Sequence, residues 1–322
     1  MSRLLAVNVS EAWAEVEPGM VLDDLNDHLR PHGLFFAPET STATRCTIGG
    51  MVSTDASGKG SRVYGKTSDN ILGLEIARAE GLISSFAPLP DWAQPWMAAA
   101  EAAVRKGRDA FVAATPRLNR RFTGYDLVRA CGESFEWWRL FLGAEGTLGP
   151  ITRIRVKLRQ IEAEKRLLVV GFDSFRNALA AAQPLLAVDP TAVEVMDETV
   201  QAIAQKAGVL AGLPESLQTG EPTAYTFIEV NGDDPAEVAS RLAACRALLR
   251  TLPGAGAIHE AADRDEIRRL WAIRSAGVGL LGKVDGPARP VAFVEDCVVP
   301  PENLPAFIDD FLAVLAENGL GF

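Results

Sequence analysis

Pro38-Glu-Thr-Ser-Thr-Ala-Thr-Arg-Cys-Thr-Ile-Gly-Gly-Met-Val-Ser-Thr-Asp-Ala-Ser-Gly-Lys-Gly-Ser-Arg-Val-Tyr-Gly65 places four glycines between Ser41 and Ser61, set in a run of serines and threonines and broken by one apolar step, Ile48 to Val52. A stretch so poor in large side chains is not expected to build a core. Its bare amides and hydroxyls can instead approach a large polar ligand closely. Gly49, Gly50 and Gly58, among Ser41, Thr42, Thr44, Thr47, Ser57 and Ser61, read as a ligand-lining loop, with a pair of tight turns as the alternative.

The same run carries a resemblance. Thr47-Ile-Gly-Gly-Met51, Ala56-Ser-Gly58 and Ser61-Arg-Val-Tyr-Gly-Lys-Thr-Ser-Asp-Asn-Ile-Leu-Gly-Leu-Glu75 are similar to the FAD-binding fold shared by p-cresol methylhydroxylase and vanillyl-alcohol oxidase. The branch resembled is that of the D-lactate, glycolate and D-2-hydroxyglutarate dehydrogenases. Two later segments follow in the family's order: Asn119-Arg-Arg-Phe-Thr-Gly-Tyr-Asp-Leu127 and Phe141-Leu-Gly-Ala-Glu-Gly-Thr-Leu-Gly-Pro-Ile-Thr152. Val291-Ala-Phe-Val-Glu-Asp-Cys-Val-Val-Pro-Pro-Glu-Asn-Leu304 is like the start of a substrate-cap helix in the large bacterial members that carry an iron–sulfur domain.

The resemblance implies an α+β fold: the second half of a PCMH-type FAD-binding domain over residues 1–161, then an antiparallel-sheet α+β substrate cap over residues 162–322. It implies FAD as cofactor, with Pro38, Thr42, Thr44, Gly49, Gly50, Ala56, Gly58, Ser61, Tyr64, Gly65, Gly146, Gly149 and Ile151 at cofactor-lining positions. Asp55 departs from the pattern, because it stands where the family's loop has Asn and so adds a negative charge near an anionic cofactor. Thr152-Arg153-Ile154 departs from the usual Thr-Glu-Ala. Leu270-Trp-Ala-Ile-Arg274 matches a helix whose arginine holds a substrate carboxylate, a task suited to a guanidinium fork. Tyr125 and Arg121 match residues bordering the active site.

The implied activity is oxidation of a D-2-hydroxy acid by hydride transfer to flavin, with the electrons passing to an acceptor that the sequence does not name. A sugar- or alcohol-oxidising enzyme of the same fold, or an inactive remnant acting as a binding or assembly module, are the alternatives. The family's glycine-rich pyrophosphate loop, its histidine-bearing strand and its iron–sulfur domain have no counterpart in the chain. The chain is therefore expected to be an interior fragment, with the catalytic base a histidine outside it.

Composition is that of an ordinary globular protein, 48% hydrophobic and 23% charged. The apolar stretches, such as Ala178 to Val188, are too short and interrupted to span a bilayer, and no basic-then-apolar leader opens the chain. A net charge of −10 argues against a nucleic-acid partner, which would need clustered Lys and Arg. Cys46, Cys131, Cys245 and Cys297 lie far apart, which excludes a local zinc or iron–sulfur motif and fits a reducing, cytoplasmic setting, with peripheral membrane association left open for a parent enzyme. With His28, His32 and His259 alone, no His-rich metal site is expected.

Periodicity predicts a strand over Glu11–Pro18, a helix over Val21–Arg30, a buried strand over Ile71–Ala77, helices over Trp96–Lys106 and Gly124–Cys131, and a strand over Ile151–Leu158. Beyond Glu162, strands are predicted at Leu167–Phe172, Ala192–Val195, Ala224–Val230, Gly256–Glu260 and Val291–Val298. Helices are predicted at Ser174–Leu186, Pro235–Thr251, Arg264–Leu281 and Pro300–Glu317. Glu295-Asp296 reads as a strand end leading into a helix that opens with Pro300-Pro301. His259 reads as a sheet residue whose sequence context offers no partner.

Overall fold

A computed structural model of the chain describes residues 1–116, 118, 124–218, 222–280 and 297–320. The chain divides into two compact units, Met1–Ile161 and Glu162–Phe322.

The first unit runs β1 (Leu4–Asn8), β2 (Trp13–Val16), α1 (Leu22–Leu29), β3 (Leu34–Phe35), α2 (Ile48–Thr54), α3 (Ser61–Tyr64), β4 (Ile71–Arg78), β5 (Gly81–Ser84), α4 (Gln94–Ala114), α5 (Leu127–Ala130), β6 (Ile151–Lys157) and β7 (Arg159–Gln160). Five strands form an antiparallel sheet in the order β1-β2-β6-β4-β5, and β3 pairs with β7. Alternation sorts the faces: Ala14, Val16, Leu74, Ile76, Ile154 and Val156 enter the core, while Glu15 and Arg155 turn to the other side and pair. Helix α1 closes the core with Leu22, Leu25 and Leu29 at helical spacing, all buried.

The second unit runs β8 (Glu164–Phe172), α6 (Phe175–Ala180), α7 (Ala182–Leu185), β9 (Ala192–Met196), α8 (Glu198–Lys206), α9 (Glu215–Gln218), β10 (Ala224–Gly232), α10 (Pro235–Leu249), β11 (Ala255–Glu260), α11 (Arg264–Leu280) and α12 (Leu304–Glu317). Its sheet is antiparallel in the order β11-β8-β10-β9. Helices cover both faces, so the central strands read as continuous apolar runs: Leu167, Val169, Tyr225 and Phe227 pack toward α8, α9 and α11, and Leu168, Val170, Ile228 and Val230 toward α6, α7 and α10. In α10, Asp234 caps the Ala236 amide at 2.8 Å, Pro235 takes the first position, and Val238, Leu242, Cys245 and Leu249 form the buried stripe.

Four differences from the sequence expectation have physical causes. The Gly/Ser run is not core-free, because its apolar step forms α2 and puts Ile48, Met51 and Val52 into the core. Helix α4 extends to Ala114: alanines sustain it, and Gly107 is covered by the Phe111 ring, which a side chain there would meet at 2.6 Å. Ser174–Leu186 is broken between α6 and α7, since Pro184 has no amide to bond Ala180 and its ring crowds that carbonyl. Gly124–Cys131 shrinks to the single turn α5, capped by Asp126. The Val291–Val298 strand and Glu295-Asp296 fall outside the described residues but for Cys297 and Val298, which are outside any strand.

Candidate functional site

Helix α2 begins at Thr47, whose hydroxyl accepts the Gly50 amide at 3.2 Å, and ends at Asp55 in the left-handed region with φ 49°. An Asn or Asp tolerates that conformation, which explains how aspartate can replace the family's asparagine there. Gly49 is buried, and a side chain on it would meet Pro18 at 2.6 Å. One on Gly58 would strike the Glu39 carbonyl at 1.8 Å. These two glycines are required by close packing, Gly49 against Pro18 and Gly58 against Glu39. Gly50 differs: it is exposed, and a side chain there would find only the Thr47 hydroxyl, at 3.2 Å.

The segment from Gly143 to Thr147 docks on the end of α2, the Gly143 amide donating to the Val52 carbonyl and the Glu145 amide to the Ser53 carbonyl, each at 2.9 Å. Gly146, with φ 78°, has open space around its α-carbon. Tyr125 donates its hydroxyl to Thr147 at 2.8 Å, and Thr147 donates to the Ala144 carbonyl. Gly50, Thr54, Gly146, Thr147 and Tyr125 are all exposed, joined through these contacts, and carry backbone and hydroxyls in place of bulk. Of the other expected lining residues, Thr42 and Thr44 are exposed, Ala56, Ser61, Gly65, Gly149 and Ile151 are half-buried, and Pro38 is buried. Tyr64 is buried edge-on against Phe35, with its ring under Arg159. Arg121 lies outside the described residues.

Behind this surface sits a charge network that the sequence reading left unassigned. Lys66 is buried and directs its ammonium inward, 2.8 Å from the buried Asp55 carboxylate and 2.6 Å from the Ser68 hydroxyl. The Ser68 amide donates to Asp55 at 2.8 Å. Arg129 joins Asp126 at 2.6 Å, Asp69 at 2.5 Å and the same Ser68 hydroxyl at 2.6 Å. Burial pushes the Asp126 carboxyl up, partly offset by Arg129. For Asp69 burial acts the same way but loses to the Lys66 amide and the charges of Lys66 and Arg129, which hold it below its usual range. The signal was present in Lys66-Thr-Ser-Asp-Asn70, a polar run of which only Asp69 is exposed.

In the second unit, strand register lines up Glu194, Phe227, Val169 and His259 across all four strands, on the face that α11 covers. Arg274 on α11 forms an ion pair with Glu194 and is about a quarter exposed, so it is not a free surface arginine. Trp271 packs on Phe227 at 5.5 Å and donates to the buried Glu229 at 2.8 Å, a carboxylate also held by Lys165 at 3.2 Å. His259 does have a partner, Glu266 at 2.9 Å, brought to it by the turn into α11. Among the described residues no three His, Cys, Asp or Glu side chains converge as a metal site would require.

The chain thus consists of two α+β units, each built on an antiparallel sheet, the first presenting exposed glycines and hydroxyls beside a helix. Residues 161–322 match the C-terminal domain of FAD linked oxidases, and residues 1–86 match an FAD binding domain. The chain belongs to the FAD linked oxidase family, and its cofactor is FAD. It is 36% identical to D-2-hydroxyglutarate dehydrogenase of Escherichia coli K12 and 38% identical to that of Pseudomonas putida, covering 100% of this chain and 34% of each relative. It is 26% identical to the glycolate oxidase subunit GlcD of Bacillus subtilis, over 93% of this chain and 54% of that one. The chain spans about a third of the length of the D-2-hydroxyglutarate dehydrogenases it matches. Alkyldihydroxyacetonephosphate synthase shares the fold, with a TM-score of 0.63 over 88% of this chain and 48% of that chain at 17% identity. No helix among the described residues is long and apolar enough to cross a membrane.

The site's chemistry fits the cofactor. Gly50 and Gly146 leave backbone uncovered, and the one buried carboxylate at the end of α2, Asp55, is neutralised by Lys66.

Proposed function

We propose that this chain forms the flavin-flanking and substrate-cap portion of an FAD-dependent D-2-hydroxy-acid dehydrogenase, with D-2-hydroxyglutarate as the favoured substrate. The observation that carries the reading is the convergence of α2, Tyr125 and the Gly143–Thr147 segment, distant in sequence, into one exposed surface of backbone and hydroxyls. FAD held beside the uncovered backbone of Gly50 and Gly146 would supply the hydride acceptor for oxidation at the substrate α-carbon. Arg274 holds the substrate carboxylate with its guanidinium fork, sharing it with or releasing it from Glu194. Tyr125, held by Thr147, and Arg121 match, by the resemblance, residues that border the active site. The hydroxyl proton needs a general base, and His28, bonded to the Asp24 carbonyl at 2.6 Å, and His259, paired with Glu266, are both engaged elsewhere. Free cysteines at all four positions support a cytoplasmic setting.

FAD is expected to bind weakly to these 322 residues alone, so the test is made at high cofactor concentration. Hydrogen exchange with and without millimolar-range FAD, roughly the weak end of specific binding, should show protection at Gly50–Ala56 and Glu145–Thr147. A folded chain with no protection in either segment removes the cofactor assignment from this surface.

A further inference from the structure

We propose that Lys66 and Arg129 are positioning residues for the cofactor surface, and that Asp55 and Lys66 act as one neutral pair in place of the family's uncharged asparagine. The inference rests on the reading of that surface as the FAD site. Lys66 directly follows Gly65, an expected lining residue, a place from which a lysine could reach toward cofactor phosphates. Its side chain does the opposite. It is buried, turned inward, and bonded to Asp55 and Ser68.

The connectivity explains what this arrangement does. Asp55 ends α2, and Val52 and Ser53, three and two residues before its left-handed bend, accept the amides of Gly143 and Glu145. Whatever fixes Asp55 therefore fixes both exposed segments. Lys66 and the Ser68 amide fix Asp55 from one side. Through the shared Ser68 hydroxyl, Arg129 links that pair to Asp69 and Asp126, and Asp126 caps α5 just after Tyr125. One network thus reaches the three separate segments that make the surface. Removing only one member of a buried pair leaves a charge uncompensated, whereas removing both charges together leaves a neutral packed site. A lysine serving the cofactor directly would not behave this way.

The experiment uses the 322-residue chain with Lys66→Met, Lys66→Arg, Asp55→Asn and the double variant Asp55→Asn/Lys66→Met. Amide exchange is read at Ser53–Ala56 and Gly143–Thr147 against β6 as an internal standard, and FAD affinity by flavin fluorescence. Lys66→Met should speed exchange in both segments by about tenfold with β6 unchanged, and the double variant should restore most of it. Lys66→Arg should remain close to the parent. FAD affinity should fall about tenfold in Lys66→Met and recover in the double variant. If exchange in the two segments is unmoved by Lys66→Met, or if the double variant exchanges as fast as the single one, the positioning role is wrong. If the exchange pattern holds but FAD protects neither segment in the parent chain, the cofactor assignment fails while the network's control of the surface stands. Should Lys66→Met fail to fold, Asp55→Asn reads the same coupling from the other partner, and exchange unchanged there also overturns it.

Discussion

At single residues, the Gly/Ser run separates into glycines that serve packing and glycines that serve exposure, a division no composition could show. Gly49 and Gly58 are forced by Pro18 and by the Glu39 carbonyl, groups brought in from other turns of the chain. Gly50 is forced by nothing inside the protein. Gly49→Ala should therefore cost about 1–3 kcal/mol through overpacking against backbone. Gly50→Ala, in a helix, should stabilise by roughly 0.5–1 kcal/mol. Thermal or urea melts of the two variants check both signs, and a Gly50→Ala protein that is more stable yet binds FAD less well would assign the glycine to the ligand. Asp55 shows the limit of motif reading from the other direction. Its departure from asparagine was visible, but the cation that cancels it lies eleven positions on, in a segment whose inward turn depends on Ser68 and Arg129.

At the scale of elements, legibility followed how much of each decision was local. Helix α10 was readable because Asp234, Pro235 and a regular apolar stripe all point to one answer, whereas α2 hid inside a glycine-rich run whose apolar step is only one turn long. The Ser174 helix was read through its proline, although Pro184 and its conflict with Ala180 were legible in principle. Helix α10 also makes a chemical prediction. Cys245 faces the sheet, fully buried beneath the helix, and burial pushes its thiol up to about 11, so almost none is thiolate near neutrality. Native chain treated with iodoacetamide at mildly alkaline pH should be alkylated at the exposed Cys297 and spared at Cys245 and the buried Cys131, with Cys245 becoming reactive on unfolding. Peptide mass spectrometry reads this directly. Rapid native labelling of Cys245 would mean that α10 opens from the sheet far more easily than its four buried contacts imply.

For the whole molecule, strand order was the part that sequence could not supply. Pairing β2 with β6 joins residues about 140 positions apart, and the contact that helps fix it, buried Glu15 with half-buried Arg155, is between partners that look unremarkable separately. Among the described residues this topology creates three clusters of buried side chains with separate membership: one built on β2, β4, β6, α1 and α2, and one on each face of the β8 to β11 sheet. No residue of one unit's core belongs to the other's, so damage to one should stay there. Phe227, wholly buried at the centre of the second unit's sheet and stacked near Trp271, gives the sharpest test. Phe227→Ala should cost about 3–5 kcal/mol through lost burial and the cavity left behind. In native-state hydrogen exchange that cost should appear as faster exchange throughout β8, β9, β10 and β11, because these amides open only when their own core does. Amides in β4 and β6 should keep their parent rates, held by Leu74, Ile76, Ile154 and Val156 in a core the substitution does not reach. Equal acceleration in both units would show that they open as one cooperative body, and the surface proposed for the cofactor could then no longer be treated as standing on a core of its own.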